Sequence, residues 1–453
     1  MHSVNSTTTR LKRTALFIFA LFTYTFSFAQ ENSPYSRYGL GNIVPAQNMV
    51  SRSMGGISAG FVDSSGFNIY SQSINLANPA SLGSRSTTIF DLGGEIDMRT
   101  LKSNVSPDKY RGTNTMISYL QLGFPITPKR MEAKNDYWGI AFGLRPMTRV
   151  NYKIQADSRL TGIDSITTIY EGNGGVQQAN LSTGVKIKNF SFGVSSGYSF
   201  GNRQTGTKIL FNNDTVRYQE SNTQADSRFG GFFLDLGVQY AYYVMKDRKH
   251  VGTLRFGFNA NLSQRLKGKA NNVNETFHYS TSTGALAAID TVTFSKDQKG
   301  VVKIPASYSA GFSYTNAHWL FGADLDMTQW KQYSYFGTQD NVQNNYTVHF
   351  GGQYYPGTLS TRISQYWNLV KYRAGIYYGN DYVKLNSTRP DYGINLGLGL
   401  PLSFRPGQFA TLNTGVEIGQ QGNKQNLGLR ENILRINVGI AMTQTWFQKR
   451  KYD

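Results

Sequence analysis

The chain has 453 residues, with 46 Lys and Arg against 27 Asp and Glu, a formal net charge of +19 and no cysteine. Disulfides, thiolate metal sites and thiol nucleophiles are therefore excluded. Charged residues (16%) and apolar residues (39%) both fall below the usual ~25% and ~45–50%. That argues against a highly charged disordered chain and against a helical membrane protein.

Arg10, Lys12 and Arg13 precede the apolar run 14–22, and Ser27 and Ala29 stand at the minus-three and minus-one positions of a small-residue cleavage site. A charged start, a short apolar centre and a small exit predict a secretory signal peptide over 1–29. The apolar run is too short for a spanning helix of about 20 residues. No later run approaches that length, so an exported chain of this kind is either soluble or a membrane barrel.

Residues 30–86 come next, rich in glycine and low in charge, with Ser53-Met-Gly-Gly-Ile-Ser-Ala-Gly60 and Asn75-Leu-Ala-Asn-Pro-Ala-Ser-Leu-Gly83. Long irregular segments are usually functional or disordered, and the apolar content argues for order. The segment is expected to be a hatch that fills a barrel lumen. The alternative is a flexible periplasmic arm.

From residue 87 onward the pattern has period two. Trp319, Phe321, Ala323, Leu325 and Met327 share one face, while His318, Asp324, Asp326 and Thr328 share the other. Leu434, Ile436, Val438, Ile440 and Met442 repeat it near the end of the chain. This is the strand signature. The segments run ten to fourteen residues, as transmembrane strands of about 9–11 residues require. Fourteen are expected: 87–100, 112–124, 136–150, 176–187, 189–201, 228–245, 250–262, 302–315, 317–330, 344–356, 368–380, 390–404, 408–420 and 431–446. Short turns alternate with long polar loops at 151–175, 202–227 and 263–301, the last with alternation that suggests a hairpin. Bacterial barrels place the short turns on the periplasmic side. The expected fold is all-β, a transmembrane outer-membrane β-barrel of about 14 antiparallel strands spanning 87–447. The hatch lies in its lumen, and a short periplasmic tail follows at 448–453.

Several motifs now carry a resemblance. Met54 to Gly60, Asn78-Pro79-Ala80, Pro305 to Tyr314, Ala323-Asp324 with Trp330, Val348 to Tyr354 and Tyr372 to Tyr377 resemble, in order and spacing, the long-chain fatty acid transporter (FadL-type) outer-membrane proteins. The likeness covers about 54–100 and 300–420. It implies a hatch-plugged fourteen-strand barrel in the cell outer membrane of a Gram-negative cell, taking up hydrophobic small molecules passively. A Bacteroidetes-like branch of the family is thought to assist secretion instead. The ending Trp446-Phe-Gln-Lys-Arg-Lys-Tyr-Asp453 departs from a terminal aromatic residue, which would move the barrel-assembly signal to Trp446-Phe447.

No catalytic constellation emerges, since the five histidines are scattered and no paired metal-ligand spacing appears. No enzymatic activity, metal or cofactor is expected. The predicted lumen face carries Asp91, Glu95, Asp97, Arg145, Asp235, Arg255, Asp324, Asp326, Lys371, Arg373 and Glu417. Most should pair with one another or with hatch backbone, as buried charges must. Asp324 and Asp326 are read as hatch anchors. Arg145 and Arg373 are candidates for a ligand carboxylate, for which Arg is geometrically suited. Met54, Ile57, Phe61, Leu76 and Leu82 are candidates for an apolar pocket, with simple packing as the plainer role. The dispersed basic residues, with small clusters at Lys246–Lys249 and Lys449–Lys451, are most simply solvated turn residues, some of which would meet outer-membrane lipid phosphates; nucleic acid is not expected. Expected partners are a hydrophobic small molecule, outer-membrane lipids and, in the alternative reading, an outer-membrane or secretion-machinery protein bound by a non-transporting barrel.

Overall fold

The computed structural model describes residues 33–63, 73–103, 109–162, 164–212, 216, 218–247, 249–279, 286–358, 365–385, 387–405, 408–424 and 429–444. The signal peptide expected at 1–29, the tail expected at 448–453 and the expected assembly signal Trp446-Phe447 lie outside them. Fourteen strands form the wall. The first seven are β1 Thr88–Lys102, β2 Lys109–Pro125, β3 Tyr137–Leu160, β4 Asp164–Ile187, β5 Phe190–Phe211, β6 Glu220–Lys246 and β7 Lys249–Asn261. The rest are β8 Ser307–Asn316, β9 Trp319–Thr328, β10 Asn345–Tyr354, β11 Lys371–Lys384, β12 Thr388–Arg405, β13 Gln408–Gln421 and β14 Arg430–Gln444. All neighbours are antiparallel, and β14 closes on β1 from Arg430–Lys102 to Gln444–Thr88. The result is a closed fourteen-strand barrel. Among the described residues no helix is long and apolar enough to cross a membrane.

Burial follows the pleat. On β1 the inward Asp91, Gly93, Glu95, Asp97 and Arg99 are buried, while Leu92, Ile96 and Met98 lie on the outer face. Phe321, Leu325, Phe350, Ile376, Ile394, Leu396 and Ile418 stand outward and exposed on later strands. This apolar outer face with a polar interior is what a lipid-embedded barrel presents.

Between β7 and β8 a hairpin, Gln264–Tyr279 and Leu286–Ile304, leaves the barrel circle. Its first strand pairs with β6 over Glu220–Gly230. The expected strand at 302–315 is thus divided. Pro305 has no N–H for the ladder, the hairpin ends at Ile304, and β8 begins at Ser307 beside Asn261 of β7. The expected loops at 151–175 and 202–227 prove to be strand as well: β3 pairs with β4 out to Leu160–Asp164, and β5 with β6 out to Ile209–Ser221. Beyond the bilayer both faces of a strand meet water, so the apolar alternation that marks a strand disappears. β3 to β6 and the hairpin therefore form a six-strand sheet standing above the long rim.

Candidate functional site

Residues 33–63 and 73–86 run inside the barrel, against the inward faces of its strands. The short helix Met49–Arg52 is capped by Asn48, whose Oδ1 accepts from Ser51 N at 2.8 Å. The Asn48 amide donates to Ser73 Oγ and Ile74 O, tying the two parts of the segment together. Met54, Ile57 and Phe61 pack with Val50 and Leu320, each fully buried. Burial of side chains this size contributes roughly 1.5–3 kcal/mol apiece. Leu76 packs beside Ile74, Leu82, Ile89 and Ala141.

The Asn78-Pro79-Ala80 motif is completely buried. Asn78 Oδ1 accepts from Ala80 N at 3.1 Å, and its amide donates to Ala59 O at 2.7 Å. Glycines 184, 193 and 237 of β4, β5 and β6 face the motif. A Cβ at Gly193 would fall 2.2 Å from Ala80 N. The motif therefore seats on a glycine floor and anchors the segment to the wall.

Several of the inward charges are paired with one another. Arg52 bridges Glu95, and Lys371 bridges Asp63 at 3.1 Å. Arg435 reaches Asp97 at 3.1 Å and Glu417 at 2.7 Å, while Arg99 reaches Asp97 and Glu431, each at 3.0 Å. Asp324 accepts from Ala59 N at 2.7 Å and from Ser58 N. His349 donates to Gly55 O at 2.6 Å and lies 3.2 Å from Asp326. Arg373 donates to Gln353 and Asn413 at 2.8 and 2.9 Å. Arg145 donates to Gln178 at 2.7 Å and faces the interior cavity.

That cavity holds about 350 Å³, at the small end of the roughly 300–1,000 Å³ of small-molecule sites. Arg145 and Leu76 line it together, and Met54, Phe61, Asn78 and Arg373 do not. Its lining mixes Ile43, Pro45, Met147 and Ile304 with Arg52, Asp235 and Arg435. Toward the long rim it is closed by Tyr35, Leu40, Trp330, Tyr333, Tyr382 and Val383, which form one packed cluster. Trp330 and Tyr382 lie 4.4 Å apart between ring centroids. Tyr382 and Tyr333 donate to the carbonyls of Tyr38 and Gly39 at 3.1 and 2.9 Å. Burial raises the Tyr35 hydroxyl above its usual range, with Arg389 opposing the shift. The phenol therefore stays protonated and accepts from Leu429 N at 2.9 Å.

The wall is interrupted at one seam. β2 pairs with β1 from Lys109–Lys102 to Gly123–Ile89, but with β3 only from Leu120–Leu144 to Pro125–Gly139. Pro146 lies within β3, two residues past the last paired Leu144, and offers no donor. The flanking ladders are irregular at the same level, β3–β4 between Pro146 and Thr148 and β1–β2 at Gly93 and Gly94. Asn42 and Ile43 take the vacant edge, pairing with Arg149 and Thr148, and Val44 N donates to Met147 O at 3.0 Å. Gly41 makes this docking possible: its φ is +93°, and a Cβ there would fall 2.2 Å from Arg149 O. Arg149 reaches across to Met116 Sδ of β2 at 3.2 Å. Ile43 and Met147 line the cavity and the seam alike. The alternation of the third expected strand, 136–150, did not single out this seam; the proline inside it was its signal. Among the described residues no group of three or more His, Asp or Glu side chains is placed to hold a metal.

No curated protein matches the chain. Among solved structures, the barrel is similar to a Pseudomonas aeruginosa FadL homologue, with TM-score 0.55 and 14% identity over 90% of this chain and 100% of that one. It is similar to a deltaS2S3 mutant of the monoaromatic hydrocarbon channel TodX, with TM-score 0.53 and 14% identity over 88% and 99%. It is also similar to the monoaromatic hydrocarbon channel CymD, with TM-score 0.50 and 15% identity over 91% and 99%. At these identities the likeness is one of fold. The resemblance to FadL-type proteins thus holds for the architecture, whereas the family model that matches the sequence is a different one, described as BamG, over residues 11–453. The chain belongs to the BamG family.

Proposed function

We propose that this protein is an outer-membrane barrel that passes a hydrophobic small molecule from the interior cavity sideways into the bilayer. The observation that carries the reading is the β2–β3 seam, where the unpaired wall edge of β3 is taken by Asn42–Val44 of the N-terminal segment. A lipophilic molecule leaving there never crosses the polar interior below. The Trp330–Tyr382 cluster would part to admit it, and the N-terminal segment would act as the hatch. Fold neighbours that are hydrocarbon channels support the reading. Leu76 and Arg145 are then the lining residues, giving an apolar wall and a cation for a fatty-acid-like carboxylate. Asn78, Pro79, Ala80, Met54, Phe61 and Arg373 hold the frame.

The test uses the absence of cysteine. Ile43 and Thr148 are register partners, so an Ile43→Cys, Thr148→Cys pair sits within the roughly 4.4–6.8 Å Cα range of a disulfide. Cells carrying the wild type should take up labelled oleate or toluene faster than cells lacking the protein. The oxidised pair should abolish that gain, and reductant should restore it. Equal uptake with and without the protein, across such substrates, would falsify transport.

A second reading is a barrel that docks a protein partner. The sheet above the long rim exposes Ile289, Val292 and Phe294 on the hairpin's outer strand. Co-purification of a stoichiometric partner, together with unchanged uptake, would favour it.

A further inference from the structure

The outer face of β6 marks the height of the apolar belt. Phe232, Leu234, Leu236, Val238, Tyr240 and Tyr242 follow one another outward, Phe232 being 78% exposed. Ten residues cover ~34 Å along a strand, and at ~45° tilt about 24 Å of height. That matches the ~25 Å apolar band of outer-membrane barrels. Immediately above Phe232 the outward positions become Gly230 and Arg228.

Register then gathers cations on this face. Gly230 lies beside Phe200 and Lys267, and Arg228 beside Asn202 and Lys269. On the hairpin, Lys303 and Lys299 stand opposite Arg265 and Lys269. Among the described residues Arg228, Arg265 and Lys267 form no ion pair. Lys269 meets Asp297 at 3.2 Å, both side chains being more than half exposed. Asp226 borders the same groove. The groove holds about 1090 Å³. Its floor is bare backbone where Gly175, Gly201, Gly230 and Gly268 line it, and the Tyr198 ring lies over Gly230. Gln177, Asn202 and Asn271 add amides along its length. Tyr198 and Phe232 form an edge-to-face ledge below it, with centroids 5.3 Å apart.

A solvated rim needs neither a concave glycine floor nor an aromatic ledge under its cations. We infer that this groove binds a phosphorylated glycolipid of the outer leaflet, of the lipid A type. Arg228, Lys267 and Lys269 take the phosphate, the amides of Gln177, Asn202 and Asn271 take sugar hydroxyls, and the acyl chains run down Phe200, Phe232 and Leu234. Phosphate suits both Arg and Lys, and aromatic side chains suit the depth where headgroup meets chain. The inference rests on the outer-membrane reading of the barrel and is independent of transport.

The experiment measures binding of lipid A to the full-length protein in detergent micelles by native mass spectrometry. The bis-phosphorylated form should bind, and the dephosphorylated form should bind far more weakly. The triple variant Arg228→Gln, Lys267→Gln, Lys269→Gln should lose roughly 100-fold in affinity, from three surface cations. Lys246→Gln, Lys249→Gln at the opposite rim should change nothing. Wild-type affinity in the triple variant, an equal loss in the opposite-rim variant, or full displacement by inorganic phosphate would each overturn the assignment. A heat-dependent gel shift establishes that every variant is a folded barrel; its absence from the wild type would indict the membrane reading instead.

Discussion

Asp324 illustrates how single inward residues hold the interior. Its carboxylate accepts from the Ser58 and Ala59 amides, so one side chain on β9 terminates the first half of the N-terminal segment. Its face and sign were readable in the alternation of 319–327, which is why it could be named as an anchor. Arg145 and Arg373 had the same legibility and the same pattern. They separate only in three dimensions, one facing the cavity and the other enclosed by Gln353 and Asn413. Replacing Asp324 with Ala strands two buried N–H groups, at about 1–3 kcal/mol each. The temperature at which the compact gel form disappears should fall, and Asp324→Asn should fall between the two. An unchanged transition would mean that these bonds do not hold the segment.

Among the elements, β3 carries the most information and was half legible. Its lower part alternates Trp138, Ile140, Phe142 and Leu144 against small and polar partners, because one face meets lipid. Its upper part, 151–160, has no lipid face and reads as loop, although it pairs with β4 throughout. Between the two parts Pro146 removes a donor and the β2 ladder stops. The hairpin Gln264–Ile304 shows the converse. It was foreseen as alternation inside a loop, but its pairing with β6 depends on residues more than 30 positions away. β7 and β8 pair from Asn261–Ser307 to Gly252–Asn316 without the hairpin. Replacing 264–304 with a short turn should therefore leave the barrel closed, with strand content by circular dichroism reduced and the heat-dependent gel shift retained. Lipid A affinity should fall, since Lys267 and Lys269 leave with it. Loss of the gel shift would show that the hairpin is needed to close the wall.

At the scale of the whole molecule, closure governs behaviour. A barrel leaves no edge strand to fray or aggregate, and in lipid every wall amide must find a partner. Unheated protein in dodecyl sulfate should run ahead of the boiled sample, as one cooperative form with no partial species. A single band at both temperatures would contradict the closed wall. The seam at β2–β3 is the exception within this closure, and it is tolerated because Asn42–Val44 satisfies part of the β3 edge.

By itself the sequence determined the strand class, the number of wall strands, and their lipid and lumen faces. Those follow from local rules: side chains alternate along a strand, and lipid selects one face. Tertiary structure alone decided the seam, the closed outer mouth, the pairing of lumen charges and the cationic groove above Phe232. Each of these joins residues from separate strands, and cross-strand register is set by the whole closed ladder. No local pattern specifies that register, so Arg228 and Lys269, or Ile43 and Thr148, become neighbours only once the barrel is complete.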